Sequence, residues 1–193
     1  EIVDAGVAAG YRMFDTAQYY GTEKEVGDAL STCGLSREEM FITTKIYSIS
    51  NSFELAQEAV DVSLKNLKTD YIDLMLVHAP YPEGTEMYKG LEAAYKAGKV
   101  RAIGISTYNK RQLDDLLENI EIIPAINQME THIYHQNIEY QKYLLEKGIT
   151  MTAWSPLSGG VGNIHEEPLI KELAAKYGKT TGQIALRNLV QRG

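Results

Sequence analysis

The sequence predicts an α/β fold of the (β/α)8 TIM-type barrel class, with six of the eight strands present in this chain. Six short β-rich runs are each followed by a stretch with helical periodicity, which is the alternation of a parallel α/β fold. The runs cover residues 11–17, 41–46, 71–78, 100–107, 125–131 and 150–157. Residues 74–77 and 102–105 are continuously apolar, as is typical of strands that helices cover on both faces. Since no change of composition interrupts the series, we expect residues 1–193 to form a single barrel domain.

The predicted helices have recognisable ends. Three pairs of residues have the spacing of a capping box, in which each side chain bonds the other's backbone amide: Ser36 with Glu39, Asn109 with Gln112, and Thr180 with Gln183. Five glycines lie where left-handed residues commonly end helices: Gly10, Gly34, Gly98, Gly148 and Gly178. One helix is predicted to bury a face that contains Leu55, Ala59, Leu64 and Leu67.

An open, doubly wound sheet is the alternative architecture. The first strand is not followed by the Gly-rich turn of the dinucleotide-binding fingerprint, which makes this alternative the weaker one. Six strands do not close an eight-stranded barrel, and because the first and last strands of a barrel are neighbours, the two missing strands would leave one contiguous gap. Three explanations stay open: a piece of a longer chain, a gap that another subunit fills, or a naturally truncated protein.

Charge and cysteine content argue against several classes of partner. The 193 residues include 19 basic and 26 acidic side chains, a net charge of −7, and the basic residues are spread along the chain. We therefore expect neither a nucleic acid nor a membrane as partner. The single cysteine cannot form an internal disulfide and no apolar run is long enough to span a bilayer, so a cytoplasmic protein is expected. His132 and His135 lack further ligands at a suitable spacing, so no metal site is predicted.

Four titratable residues lie at or just after the ends of predicted strands. Active sites of (β/α)8 barrels collect at the C-terminal ends of the strands, where Asp15, Lys45 and His78 are expected, and Tyr20 follows in the next loop. A tyrosine, with an ordinary pKa of about 10, becomes a useful proton donor when a nearby ammonium stabilises the phenolate. A carboxylate can hold that ammonium, and a neutral histidine can orient a carbonyl oxygen. The four residues together predict a proton-transfer group.

Each of these residues also has an ordinary structural interpretation. Asp15 could cap a turn, Lys45 could be a solvated strand end, and His78 could be a hydrogen-bonded loop residue. Asp73, an acid inside an apolar strand, is equally unusual and is interpreted as structural.

Longer motifs resemble those of one enzyme family. Residues 10–23, with the sequence GYRMFDTAQYYGTE, resemble the aldo-keto reductase signature, with Thr22 in place of the usual asparagine. Residues 43–45 (TTK) resemble the family's T-K strand end, and residues 70–80 resemble its D-Y-x-D-L-x-L-x-H-x-P strand. The resemblance implies that Asp15, Tyr20, Lys45 and His78 form a catalytic tetrad.

Three further motifs resemble the family's cofactor-binding segments. They are residues 104–108 (GISTY), similar to G-x-S-N-F, residues 127–130 (NQME), similar to N-Q-x-E, and residues 153–157 (AWSPL), similar to A-[YW]-S-P-L. The resemblance implies that the cofactor is bound by Ser106, Thr107, Gln128, Trp154, Ser155 and Leu157. Trp154 would stack on the nicotinamide ring, while Thr107 stands where the family has asparagine. NADPH is the implied cofactor, with NADH as the alternative.

The implied function is NADPH-dependent reduction of small aldehydes and ketones, with hydride transfer from the nicotinamide and protonation by Tyr20. Within the family, the chain resembles microbial diketogluconate and glyoxal reductases, and the resemblance implies that the family's first barrel strand precedes Glu1 and its last strand follows Gly193. The alternative is a non-catalytic protein on this fold, either truncated or regulatory. An isomerase or aldolase on the same barrel is not supported, because the sequence lacks a lysine–carboxylate set specific to those classes.

Overall fold

The computed structural model describes residues 1–160 and 162–193, which divide into two compact units. The first is Glu1–Ala125 and the second is Ile126–Gly193. Each unit is described by itself, and the single-domain organisation stays a prediction.

The first unit contains four parallel strands that alternate with helices. The strands are β1 (Met13–Asp15), β2 (Phe41–Ile46), β3 (Leu74–Val77) and β4 (Ile103–Ser106). The helices are α1 (Ile2–Ala8), α2 (Glu23–Leu30), α3 (Phe53–Leu67), α4 (Gly84–Lys96) and α5 (Lys110–Leu117), with short 3-10 turns at Gln18–Tyr20 and Arg37–Glu39. The strands pair in chain order, β1 with β2, β2 with β3, and β3 with β4. Their C-terminal ends therefore meet at one edge, since Asp15 lies opposite Thr43 and Lys45 opposite Leu76.

The second unit contains one parallel strand pair and three helices. Its elements are β5 (Ile126–Glu130), α6 (Ile138–Glu146), β6 (Thr150–Trp154), a 3-10 turn at Ser158–Gly160, α7 (Pro168–Tyr177) and α8 (Thr181–Arg192). Gln128 lies opposite Thr152 in the middle of this strand pair, and Glu130 lies opposite Trp154 at the C-terminal ends of the two strands.

The local sequence signals are confirmed. Every predicted strand is present, although the observed strands are shorter at one or both ends in most cases. Residues 71–73 show why: Ile72 makes only an isolated bridge to Val100, so the regular ladder starts at Leu74. All three capping boxes form, and all five predicted glycines have positive φ.

The predicted buried face of α3 is wrong in part. Leu55 is 41% exposed, and the buried residues of α3 are Ala56, Ala59, Val60, Ser63 and Leu67. Close packing against α4 explains the small residues, since a Cβ added at Gly90 would lie 2.6 Å from the Cβ of Ala56. The Ser63 hydroxyl is buried because it has hydrogen-bond partners on other elements.

An ion pair stabilises the N-terminal ends of the strands. Asp73 is buried directly before β3, where it accepts hydrogen bonds from Arg37 Nη2 at 2.6 Å and from the Ile42 amide at 2.9 Å. The guanidinium groups of Arg37 and Arg101 lie 3.8 and 3.7 Å from the centroid of the Tyr71 ring. The structural interpretation of Asp73 is thereby confirmed.

We expect Arg37→Met to lower the free energy of unfolding by about 3 kcal/mol, because it leaves a buried carboxylate without its main partner. The control is Arg111→Met, since Arg111 is 91% exposed and pairs with Asp115 only at 4.0 Å. That control should change the free energy of unfolding by less than about 0.5 kcal/mol. Urea unfolding followed by circular dichroism measures both, and equal losses in the two variants would contradict the stabilising role of the Arg37–Asp73 pair.

Candidate active site

A buried ammonium lies at the C-terminal ends of the first two strands. Lys45, in β2, is 1% exposed, and its Nζ donates hydrogen bonds to Asp15 Oδ1 and to the Thr16 carbonyl, the latter at 3.0 Å. Asp15 ends β1 and is partly exposed to solvent. A buried charge is tolerated when it is paired and hydrogen-bonded, so Asp15 and Thr16 explain how Lys45 can be accommodated there.

Tyr20 lies beside this ion pair. It ends the 3-10 turn that follows β1, and the left-handed Gly21 closes that turn with an amide hydrogen bond to the Gln18 carbonyl at 3.0 Å. The Lys45 Nζ is 5.3 Å from the centroid of the Tyr20 ring. The Tyr20 side chain is about half exposed, so its hydroxyl belongs to a residue that solvent and a substrate can reach.

His78 completes the group. It follows β3 directly, and its amide donates to the Ile46 carbonyl at 3.0 Å, which aligns it with the end of β2. The imidazole packs edge-on against the Tyr20 ring, with centroids 5.5 Å apart. Burial lowers the pKa of His78, the Lys45 charge lowers it further, and the Asp15 charge opposes both. The imidazole is therefore neutral near pH 7.

Three more tyrosines, Tyr19, Tyr47 and Tyr81, lie near His78 or near one another in the first unit. The Tyr19 ring lies 5.6 Å from that of Tyr47 and 6.0 Å from that of His78. Burial raises the pKa of Tyr81; a hydrogen bond from the Ser48 backbone opposes this, and the Tyr19 and Tyr47 phenols raise the pKa further. Tyr81 is therefore poorly suited to donate a proton, whereas Tyr20 has an ammonium beside its ring.

The turn after β4 contains a strained residue. Ser106 is buried at the end of the strand, and Thr107 has φ of +61°, in the left-handed region. Thr107 Oγ1 donates to the Ser106 carbonyl at 2.8 Å. A β-branched residue is strained at this φ, whereas asparagine tolerates it well. The threonine at this position therefore has a conformational cost in addition to lacking a side-chain amide.

The second unit contains the remaining predicted cofactor residues. Gln128 is buried in β5, while Trp154 and Leu157 are partly exposed at and after the end of β6. Ser155 has φ of +48°, and a Cβ added at Gly159 would lie 2.6 Å from Ser155 Oγ. This tight, left-handed stretch requires glycine at position 159.

The histidines of the second unit are hydrogen-bonded within the protein. His132 is buried, its Nε2 lies 3.1 Å from Glu130 Oε1, and its Nδ1 accepts from the Tyr134 amide at 3.2 Å. Within residues 1–160 and 162–193, no group of three His, Cys, Asp or Glu side chains is arranged to hold a metal ion.

The structure thus brings all four predicted tetrad residues together within the first unit. Asp15 contacts Lys45, Lys45 lies near Tyr20, and Tyr20 packs on His78. Ser106 and Thr107 belong to the same unit, while the other predicted cofactor residues are Gln128, Trp154, Ser155 and Leu157 in the second unit. The chemical roles of these residues stay predictions.

Three residues that have no role in the sequence predictions form hydrogen bonds with the tetrad or with the elements beside it. The Thr16 carbonyl accepts from Lys45, and the side chains of Gln18 and Glu23 bond elements that flank the tetrad. Thr16, Gln18 and Glu23 all lie within the motif of residues 10–23, which assigned them no role. Glu23 at the start of α2 has the position of an ordinary helix N-terminal acid, which does not indicate burial.

Comparison with known proteins identifies the family. The model of the aldo/keto reductase family matches residues 1–193. The chain belongs to this family. A glyoxal reductase of Bacillus subtilis is 38% identical over 100% of this chain and 70% of its own length. An aldo-keto reductase from a Medee basin deep-sea metagenome superposes with a TM-score of 0.95, at 39% identity over 98% of this chain and 71% of that one. A Bombyx mori aldo-keto reductase in complex with NADP superposes with a TM-score of 0.89, at 34% identity over 99% of this chain and 69% of that one.

These relatives confirm the fold class and the class of enzyme. The six parallel strands correspond to a (β/α)8 barrel of which this chain contains a part, and it spans 64 to 74% of the length of such relatives. The family consists of oxidoreductases that use a nicotinamide cofactor, as predicted. Among the described residues, no helix has both the length and the hydropathy needed to cross a bilayer.

The lowered pKa of His78 predicts a pH dependence of stability. In the unfolded chain His78 has its ordinary pKa of 6.5, and in the folded protein its pKa is lower. As the pH falls below 6.5, the unfolded chain therefore binds more protons than the folded protein, and the free energy of unfolding decreases. We expect His78→Gln to lose less free energy of unfolding between pH 7.5 and 5.5 than the unaltered protein. Urea unfolding at the two pH values measures this, and identical losses would contradict the burial of a neutral imidazole.

Proposed function

We propose that this chain provides the proton-transfer group and cofactor contacts of an NADPH-dependent reductase of small aldehydes and ketones. The observation that carries the proposal is the proximity of the buried Lys45 ammonium, paired with Asp15, to the Tyr20–His78 pair at the ends of three neighbouring strands. This arrangement provides a phenol, a cation that stabilises its conjugate base, and a neutral hydrogen-bond donor.

The proposed reaction balances with one hydride and one proton. The bound dinucleotide supplies the hydride for the carbonyl carbon. Tyr20 donates its hydroxyl proton to the carbonyl oxygen, and the Lys45 ammonium stabilises the phenolate that remains. Asp15 keeps the ammonium in place, and the exposure of Tyr20 allows water to return the proton. The products are an alcohol and the oxidised cofactor.

His78 is proposed to orient the carbonyl. Its Nδ1 is buried, and within the described part of the chain this nitrogen makes no hydrogen bond. A neutral imidazole carries one N–H, and placing it on Nε2 avoids burying an unsatisfied donor at Nδ1. The Nε2–H is then available to donate to the substrate oxygen, on the same side as the Tyr20 ring.

The residues assigned to the cofactor suit a dinucleotide. Ser106 and Thr107, and independently Gln128, are proposed to bind the nicotinamide carboxamide. Trp154 is proposed to stack on the nicotinamide ring, which its partial exposure allows. Ser155, Leu157 and the left-handed residues that follow, up to Gly160, are proposed to lie along the pyrophosphate, because such stretches allow a close backbone approach to anions.

A small carbonyl compound is the proposed substrate. The relative from Bacillus subtilis is a glyoxal reductase, and glyoxal is therefore a suitable test substrate. Tyr19 and Tyr47, whose rings pack together beside His78, are proposed to form one wall of the substrate site.

The role of Tyr20 is tested by Tyr20→Phe. Loss of the general acid should lower kcat about 10²- to 10⁴-fold. NADPH affinity, measured from quenching of the single tryptophan Trp154, should stay nearly unchanged. Tyr95→Phe is the control, since Tyr95 lies on α4, is 42% exposed and has no proposed role in the reaction, and it should keep the turnover of the unaltered protein. NADPH binding without glyoxal reduction in the unaltered protein would instead favour a non-catalytic function.

The turn after β4 gives a second test. Thr107→Asn should raise the free energy of unfolding by about 1 kcal/mol, because it relieves a left-handed β-branched residue. It should also tighten NADPH binding through its side-chain amide. Thr107→Gly removes the strain without adding an amide, so it should leave NADPH affinity unimproved. If both variants bind NADPH equally well, the side chain at position 107 does not contact the cofactor.

A further inference from the structure

A buried carboxylate that has no role in the proposed reaction is hydrogen-bonded to the residue next to Lys45 in β2. Glu23, the first residue of α2, is 3% exposed. Its Oε1 accepts hydrogen bonds from Thr44 Oγ1 and from Ser63 Oγ, both at 2.7 Å. Its Oε2 accepts from Asn66 Nδ2 at 3.1 Å. Thr44 and Ser63 are themselves fully buried, so the contacts are shielded from water.

The direction of each hydrogen bond follows from the donors available. Gln18 Nε2 lies 2.8 Å from the Ala59 carbonyl, which can only accept, so this end of the amide is the NH2 group. The same nitrogen donates to Ser63 Oγ at 2.8 Å. The Ser63 hydroxyl must therefore donate its own hydrogen bond to Glu23 Oε1. The chain runs from Gln18 through Ser63 to the carboxylate, and Glu23 is the final acceptor.

The two arms of this network end beside two different tetrad residues. Thr44 is the neighbour of Lys45 in β2, and Gln18 begins the 3-10 turn that ends at Tyr20. One carboxylate on α2 thus connects the backbone that carries the ammonium with the backbone that carries the phenol. We propose that Glu23 is a positioning residue, which holds Lys45 and Tyr20 in register for proton transfer.

A second buried carboxylate in the same unit provides a comparison. Glu92 of α4 is 5% exposed, and its Oε1 accepts from the Glu121 and Ile122 amides at 2.7 Å each. Its partners lie in the segment before β5, outside the segments that carry the tetrad. Glu92 is therefore a matched control for the loss of a buried, hydrogen-bonded carboxylate.

The expected effect on the reaction is large although Glu23 touches neither substrate nor cofactor. Displacement of a reacting group by about 1 Å can lower the rate about 10²-fold. Releasing Thr44 or the Gln18 turn should change the separation of Lys45 and Tyr20, while the cofactor residues are unaffected. The expected change in kcat rests on the proposed function, whereas the expected change in the position of Tyr20 does not.

The experiment compares Glu23→Leu, which removes the acceptor, with Glu23→Gln, whose carbonyl can still accept from both hydroxyls. Thr44→Val and Ser63→Ala each cut one arm with little change of volume, and they decide the case if Glu23→Leu does not fold. Glu92→Leu is the control. The first readout is glyoxal reduction with NADPH, separated into kcat, KM and NADPH affinity. The second is the 13Cζ signal of Tyr20 in 13C-tyrosine-labelled protein, assigned with Tyr20→Phe.

We expect Glu23→Leu to lower kcat about 10-fold or more, with NADPH affinity retained, and to shift the Tyr20 signal. Glu23→Gln should restore most of the rate, and Ser63→Ala and Thr44→Val should each show part of the loss. Glu92→Leu should lose stability but keep kcat and the Tyr20 signal. A Tyr20 signal that is unchanged in Glu23→Leu, or that shifts equally in Glu92→Leu, would overturn the proposal. If the unaltered protein reduces no glyoxal, the proposed function fails, and the Tyr20 signal still decides the positioning role.

Discussion

The site depends on the burial of one ammonium group. Lys45 is removed from water, so its charge requires partners, and Asp15 and the Thr16 carbonyl provide them. These partners lie on β1 and the segment that follows it, so the parallel register of β1 and β2 determines whether Lys45 can reach them. The same charge lies near the Tyr20 ring and contributes to keeping His78 neutral. A phenol, a cation and a neutral imidazole therefore lie together at the ends of neighbouring strands.

The two ends of the first unit's strands each carry a cation–carboxylate pair with one buried partner, Asp73 at one end and Lys45 at the other. At the N-terminal ends, Asp73 accepts from Arg37 and from a backbone amide, and the Arg37 guanidinium lies over the Tyr71 ring. At the C-terminal ends, Lys45 and Asp15 adjoin a half-exposed phenol. Pairs of the first kind stabilise the sheet, while pairs of the second kind lie where barrel active sites form.

Departures from the family pattern have physical consequences in this chain. Thr107 replaces an asparagine at a left-handed position, so the replacement changes both backbone strain and hydrogen-bonding capacity. Tyr108, where the family pattern has phenylalanine, is buried and reaches the start of α4. A Cβ at Gly84 would lie 2.4 Å from the Tyr108 hydroxyl oxygen, so glycine at position 84 accommodates the added hydroxyl. The tyrosine at position 108 thus depends on a residue without a side chain at position 84.

The sequence alone determined the succession of strands and helices, the capping boxes, the left-handed glycines and the four residues that converge at the strand ends. These features depend on periodicity, short spacings or a long motif, all of which are local. Only the tertiary structure decided which face of α3 is buried, because Leu55 is exposed while Ser63, which is hydrogen-bonded to Glu23, is buried. It also decided that His78 lies where burial and the Lys45 charge lower its pKa, and that Glu23 is buried between Thr44 and Ser63. Those properties arise from neighbours tens of residues away, whose charges and hydrogen bonds act only once the chain has folded.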